Sequence, residues 1–498
     1  MTPVLYPSLY QINTRVWLTA LSRALGRPAT LDDIPDAELD RLAKRGIDWI
    51  WLLSVWRTGK AGQKVSRENP QWRQEFQGML PDLSESDIAG SGFAIAGYEA
   101  HPDMGGDAAL ARLRKRLRKR GLKLMLDFVP NHMGLDHPWA LEHPDYFVAG
   151  TEDVFKREAR DYIQIKGERG DRILAHGRDP NFPGWPDTLQ LDYSNPAAQE
   201  AMVRELEKIA GQCDGVRCDM AMLILPEVFE RTWGRKPSPF WPLAIRRVRE
   251  LAPDFCFMAE VYWQLEWTLQ QQGFDYTYDK RLYDRLRAGH ARPVREHLHA
   301  ELDYQGKLAR FLENHDEPRA ASTFEPGVHR AAAVIAYTIP GMRFFQQGQF
   351  EGLKKRISPH LVRAPEESRD EQIGAFYDQL FAILRTPIVK TGEWQWHSCR
   401  PAWEGNGSWN AFVAHSWRGS RGERMLVAVN YAPHPSQCYL NLPFPEMENR
   451  SVRLRDLLGS ACYTRDGNEF RVRGLYLDLQ PWAYHVFNVE ISRLKRCA

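Results

Sequence analysis

At 498 residues, with 43% hydrophobic and 26% charged residues, the chain has room for about three domains at roughly 150 residues each and the composition of a soluble globular protein. Sixty-six Lys and Arg against 64 Asp and Glu leave a formal charge of +2, too little field to gather nucleic acid or an anionic membrane. Seven cysteines without a Cys-x-x-Cys pair, an N-terminus with neither a basic segment nor a long apolar one, and no run of ~18 apolar residues predict a cytoplasmic protein that spans no membrane.

In chain order, apolar runs at residues 4–16, 47–53, 122–129, 215–218, 255–260, 274–278, 310–312 and 343–345 predict strands. Amphipathic stretches at 107–120, 196–210, 242–251, 329–339 and 370–384 predict helices between or after them. Eight strands alternating with helices give an α/β fold, a (β/α)8 TIM barrel over residues 1–391. Two segments of little helical period, 57–104 after the second strand and a short insertion at 133–190 after the third, project from the face where such barrels carry their sites. From 392 to 498 the runs at 410–417, 425–430, 452–457, 470–473 and 483–488 predict an all-β domain, a C-terminal β-sandwich. The basic run at 112–120 is read as a solvated helix face, because Leu110, Leu113 and Leu117 recur at i, i+3 and i+7.

Charged residues recur where the apolar strands end: Asp127 after 122–126, Arg217 and Asp219 after Gly215-Val216, Glu260 after 257–259, and Glu313 to Asp316 after Phe311-Leu312. A charge at the end of a buried strand needs a partner or a solvent-filled cleft. Any one acid could merely pair with Arg217, Arg319 or a helix end, but four such clusters on one barrel face converge on a cleft. Paired carboxylates with no nucleotide loop and no assembled metal motif point to glycoside hydrolysis, in which one acid attacks or activates water and the other protonates the leaving group.

The motifs Asp127-Phe-Val-Pro-Asn-His132, Gly215-Val-Arg-Cys-Asp219, Ala259-Glu260-Val-Tyr262 and Glu313-Asn-His-Asp316, in that order, resemble the four motifs of the α-amylase superfamily, glycoside hydrolase family 13. Gln11-Ile-Asn with Arg15-Val16, Ser91-Gly-Phe-Ala-Ile95 and Leu189-Gln-Leu-Asp-Tyr-Ser-Asn-Pro196 add to the likeness. The resemblance implies a retaining enzyme with Asp219 as nucleophile, Glu260 as general acid/base and Asp316 as the acid that binds ring hydroxyls. It implies sugar-binding roles for His132 and His315, and substrate contacts are also expected at Arg217, Phe93, Asp127, Tyr262 and Trp263. Arg217, two residues before Asp219 on one strand face, should favour the ionised nucleophile, and the apolar stretch around Glu260 should raise its pKa.

Met222-Leu223 stand where many members have Lys-His, and Phe93 where a Tyr commonly stacks. Among the tryptophans, Trp56, Trp185 and Trp263 are the expected sugar platforms, whereas Trp49, Trp51, Trp394 and Trp396 read as packing. Asn131 resembles a calcium ligand of many amylases, and the insertion offers Asp145, Asp153, Asp179 and Asp187, yet no metal and no organic cofactor are expected. The partner is then an α-glucan or α-glucoside. Transfer or isomerisation of small glucosides such as sucrose or trehalose is the alternative chemistry, and a non-catalytic carbohydrate-binding or scaffolding protein the alternative class.

Overall fold

The computed structural model describes residues 4–166, 170–442 and 444–493. Eight parallel strands close a barrel: β1 (Ser8–Asn13), β2 (Trp49–Leu53), β3 (Lys123–Phe128), β4 (Gly215–Cys218), β5 (Cys256–Ala259), β6 (Tyr276–Tyr278), β7 (Leu308–Arg310) and β8 (Met342–Gln346). Each strand pairs with its sequence neighbours, and β8 returns to β1 through Ser8↔Arg343 and Leu9↔Phe344. Strands walled by helices outside and by side chains inside must be apolar on both faces, and all of Trp49-Ile-Trp-Leu-Leu53 is accordingly buried. The barrel and the C-terminal all-β region agree with the fold expected from sequence.

The crossover helices include Gly106–Arg118, Pro196–Gln212, Trp241–Leu251 and Pro326–Thr338, with Glu371–Leu384 following β8. In the first, Leu110, Leu113 and Leu117 are buried while Arg112 and Arg116, with Arg120 just past the helix end, reach Asp32, Asp36 and Asp40 at 2.6–2.8 Å. The basic run is therefore a charge-matched outer face.

Four expectations about elements are corrected. The strand expected to run through residue 16 stops at Asn13, whose side chain accepts from Val16 N at 3.2 Å and caps the helix Thr14–Leu25. Strand β7 ends at Arg310, not Leu312, because Leu312 N donates to Tyr337 Oη at 3.3 Å in place of a neighbouring strand; Phe311 and Leu312 are buried beyond the strand. Segment 57–104 contains the helices Lys60–Glu68 and Pro70–Met79, and the second buries only Phe76, too narrow a stripe to show as periodicity. Residues 470–473 belong to a helix, Gly467–Arg473; the alternation Phe-Arg-Val-Arg imitated a strand, but Asp466 accepts from Asn468 N at 2.8 Å and starts a helical turn.

Beyond the helix Pro387–Thr391 come β9 (Glu393–His397), β10 (Cys399–Pro401), β11 (Phe412–Arg418), β12 (Arg424–Asn430), β13 (Ser436–Leu440), β14 (Arg450–Asp456), β15 (Cys462–Asp466), β16 (Leu475–Leu479) and β17 (Tyr484–Arg493). They form a six-stranded sheet, β9-β11-β12-β17-β14-β15, and a three-stranded sheet, β10-β13-β16. Period-2 alternation divides the larger sheet: Val413, Val427, Val429 and Val486 join the barrel core, whereas Ala414, Leu426, Ala428 and Phe487 pack with Cys438, Leu440 and Leu477 of the smaller sheet. Polar ties reinforce the contact with the barrel, as Trp417 Nε1 donates to Thr338 O at 2.6 Å and Tyr431 Oη to Leu286 O at 2.6 Å.

Candidate active site

Register brings the charges together at the carboxyl ends of the barrel strands. Arg217 on β4 lies opposite Asp127 on β3, and its side chain is buried inside the barrel. Asp219 and Glu260 each stand just past a strand, yet their backbones are still held by the ladder: Asp219 N donates to Phe128 O at 2.8 Å and Glu260 N to Cys218 O at 3.0 Å. The main chain is strained here. Ser54, Met220, Trp263 and Gln264 have φ of 65°, 41°, 60° and 64° in the loops after β2, β4 and β5. Such conformations collect where a fold over-determines a site.

One guanidinium organises the acids. Arg217 Nη1 donates to Asp219 Oδ1 at 2.5 Å, Nη2 to Glu260 Oε2 at 2.7 Å and Nε to Tyr278 Oη at 3.2 Å, while Asp127 Oδ1 lies 3.9 Å from Nη1. The rings of Trp51, Phe93 and Tyr278 surround it with centroids at 5.3, 5.3 and 5.6 Å. Glu260 also accepts from Met220 N and from Tyr262 Oη, each at 2.8 Å. Burial raises both Asp219 and Glu260 against the pull of Arg217, and Glu260 is pushed up to about 7. Arg217 does favour the ionised form of Asp219, as expected, but desolvation exceeds that attraction and leaves the pKa raised. Asp127, facing inward against Arg217 and Ser54 N, is likewise raised to about 7 by burial.

His315 closes the far side of the cluster. Gln11 Nε2 donates to its Nδ1 at 2.8 Å, which leaves the ring proton on Nε2, 3.1 Å from Asp316 Oδ2. Phe93 stacks on the same imidazole with centroids 5.5 Å apart, and burial lowers the His315 pKa to about 3, so the ring is neutral. Asp316 itself opens to the cleft with 45% of its side chain exposed, and its backbone N–H is fixed by Asn314 Oδ1 at 2.9 Å. Its neighbour Glu313 takes no part, being paired with Arg319 Nη1 at 2.5 Å and with Ala320 N at 2.7 Å.

The structure thus gathers Asp127, Arg217, Asp219, Glu260, Tyr262, Phe93, His315 and Asp316. His132 lies beside them, buried, its ring 5.1 Å from that of Trp185. Trp263 is on the rim, 39% exposed, with Arg231 5.4 Å over its indole. Trp56 is no platform: it is buried, donating Nε1 to Asp127 O at 2.7 Å. Tyr278, Trp51 and Gln11 complete the site although none was expected there: Trp51 read as packing, Gln11 only added to the likeness, and Tyr278 had no role. The signal for Tyr278 was its place as the last residue of a barrel strand, level with the other charged ends.

The residues around Asn131 do not fit a calcium ion. Asn131 Oδ1 accepts from Gln190 Nε2 at 3.0 Å, and Asn131 Nδ2 donates to Gln190 Oε1 at 3.1 Å. Gln190 Nε2 also meets Asn131 O at 2.9 Å and Leu191 O at 3.1 Å. An amide N–H occupies the position that an oxygen-seeking cation would need. Asp179 Oδ1 is engaged by the N–H groups of Asn181 and Phe182 at 2.6 and 2.9 Å. Among the described residues no group of three or more His, Cys, Asp or Glu is placed to hold a metal. The thermal midpoint should therefore be the same in EDTA as in calcium. A midpoint that drops with chelator and returns with calcium would contradict this account of Asn131.

The architecture and site define a (β/α)8-barrel protein with convergent carboxylates at the carboxyl face of its strands. Residues 31–388 match the profile described as "Alpha amylase, catalytic domain", and the chain belongs to that family. It is 24% identical over 298 residues to Alpha-amylase 3 of Dictyoglomus thermophilum, an alignment covering 55% of this chain and 56% of that one. To Trehalose synthase/amylase TreS of Mycobacterium tuberculosis it is 28% identical over 191 residues, covering 35% and 30%. The chain spans about half the length, or less, of the curated relatives it matches. The crystal structure of the noncanonic maltogenic alpha-amylase AmyB of Thermotoga neapolitana is similar in fold, with a TM-score of 0.68 at 18% identity, covering 97% of this chain and 98% of that one.

Proposed function

We propose that the chain is a retaining α-glycoside hydrolase acting on α-glucans or maltooligosaccharides, and that Asp219, Glu260 and Asp316 carry the reaction. The observation behind this reading is the single Arg217 fork that holds Asp219 and Glu260 side by side. Two carboxyls bridged by one planar guanidinium favour the short separation of about 5–5.5 Å that a retaining mechanism uses over the longer one that admits an attacking water.

Asp219 carboxylate attacks the anomeric carbon while Glu260 gives its proton to the departing glycosidic oxygen, forming a glycosyl ester. Glu260, now a carboxylate, then takes a proton from the water that attacks the same carbon, and the ester bond to Asp219 breaks. Asp316 faces the cleft where ring hydroxyls would lie, and His315 Nε2, buried beside it, lies 3.1 Å from its Oδ2. Tyr262, expected as a substrate contact, donates to Glu260 and steadies it. With Glu260 near 7, kcat/KM should fall about tenfold per pH unit above that value, because the acid that must donate is lost. A pH profile flat to pH 9 would contradict this role for Glu260.

The second reading, transfer or isomerisation of small α-glucosides, is favoured by the relative named a trehalose synthase/amylase. Incubating one preparation with maltooligosaccharides, sucrose and trehalose separates the readings. Release of reducing ends from maltooligosaccharides supports hydrolysis, isomeric or transferred disaccharide the alternative, and no turnover of any of them a non-catalytic protein. A cytoplasmic location is supported by six free cysteines among the described residues. No helix among the described residues is long and apolar enough to cross a membrane.

A further inference from the structure

The outward face of the three-stranded sheet departs from what its alternation requires. Leu475, Leu477 and Leu479 of β16 turn inward to the sandwich core, so Tyr476 and Asp478 turn outward. An outward sheet face is ordinarily polar. Here Tyr476 is 46% exposed and pairs directly across the sheet with Tyr439 of β13, ring centroids 5.4 Å apart. Arg400 of β10, next in the same row, stacks over Tyr439 at 4.9 Å and is held by the carbonyl of Arg473, so Tyr439 supports Tyr476 and leaves the latter's ring accessible. A third ring, Tyr463 of β15, is 38% exposed and lines the same hollow as Tyr439 and Tyr476, a cavity of about 340 Å³. Among the described residues neither Tyr463 nor Tyr476 uses its hydroxyl in a hydrogen bond.

The polar lining narrows the class of occupant. Two arginines, Arg465 and Arg473, are balanced by two carboxylates, Glu469 and Asp478, so the hollow favours neither anion nor cation. Gln437 Nε2 donates to Asp478 Oδ1 at 2.9 Å and presents the carboxylate's other oxygen beside the tyrosine row. Flat rings that stack on apolar C–H faces, set next to fixed groups able to take adjacent hydroxyls, suit an uncharged polyhydroxylated chain. The six-stranded sheet separates this hollow from the barrel, so it is not part of the catalytic cleft.

We infer that the hollow between Tyr476 and Tyr463 is a second carbohydrate-binding site, one that holds a segment of α-glucan chain away from the active site. The choice of α-glucan rests on the proposed function; the site itself does not need catalysis. Its role is to keep a polymer near the barrel while the cleft works on a free end or neighbouring segment.

The test is native gel electrophoresis with and without soluble starch in the gel, alongside turnover of maltotriose in solution. The full chain should be retarded by starch. The double variant Tyr463→Ala, Tyr476→Ala should bind starch about tenfold more weakly, as expected for losing two stacking rings, while its maltotriose turnover stays within about twofold of the parent. Asp478→Asn, which leaves both rings in place, should also weaken retardation. Retardation unchanged in these variants, or absent in a parent protein that degrades starch, would overturn the site. A dimer in size exclusion that the double variant loses would overturn it too, showing that the face joins two copies. If the parent turns over no α-glucan and tyrosine-dependent retardation remains, the catalytic reading fails and this one stands.

Discussion

Replacing Asp219 by Asn should lower kcat on maltooligosaccharides by roughly 10⁴-fold or more, with the fold retained. The amide cannot form the glycosyl ester, and neither Glu260 nor Asp127 can substitute. Glu260 is held by Arg217 Nη2, Met220 N and Tyr262 Oη, and Asp127 is turned inward against Arg217. Stability should hold or rise, because burial opposes the ionised form of Asp219, and removing that charge relieves a cluster in which several acids share one arginine. The remaining general acid should respond as well. The Asp219 charge helps to raise Glu260, so any residual activity of the variant should lose its basic limb at lower pH than the parent. Circular dichroism, a thermal melt and initial rates check these outcomes together, and turnover near that of the parent would remove Asp219 from the role of nucleophile.

The second large effect is expected at Glu260. Glu260→Gln should cost about 10²–10⁴-fold on maltooligosaccharides, whose leaving alkoxide must be protonated, and far less on the first step with glucosyl fluoride, whose fluoride leaves without a proton. Water is then no longer activated for the second step, so a glycosyl-enzyme should accumulate on Asp219 and appear in the intact mass. Gln can still accept from Met220 N and Arg217 Nη2 through an amide oxygen in the Oε2 position and donate its amide N–H to Tyr262 Oη, which keeps the side chain in place. Equal losses on both substrates would mean that Glu260 positions the site and transfers no proton.

The barrel was legible because its strands are short apolar runs whose last residues are charged, a pattern that the register Arg217↔Asp127 and the ladder bonds to Asp219 and Glu260 convert into one cluster. What stayed hidden was decided by contacts distant in sequence. Arg217 looked like a private partner of Asp219 because they are two residues apart, yet its second nitrogen belongs to Glu260, 43 residues further on. Trp51 read as packing and does pack, but the atoms it packs against are the guanidinium and His315. The pairing of Gln190 with Asn131 spans 59 residues, and nothing local to either side chain marks it. In the C-terminal sheets, β13 and β16 escaped detection because their alternation of buried and outward residues runs over only five residues each, and β15 because it is exposed along its whole length.

Double displacement at Asp219 leaves its mark in the stereochemistry of the product. Proton NMR of a maltooligosaccharide digest, recorded before mutarotation equilibrates the ends, reports the anomer first released. Two inversions at one carbon predict the α-anomer. If the β-anomer appears first, water attacks the sugar directly, Asp219 forms no ester, and the mechanism drawn from the shared Arg217 fork is wrong.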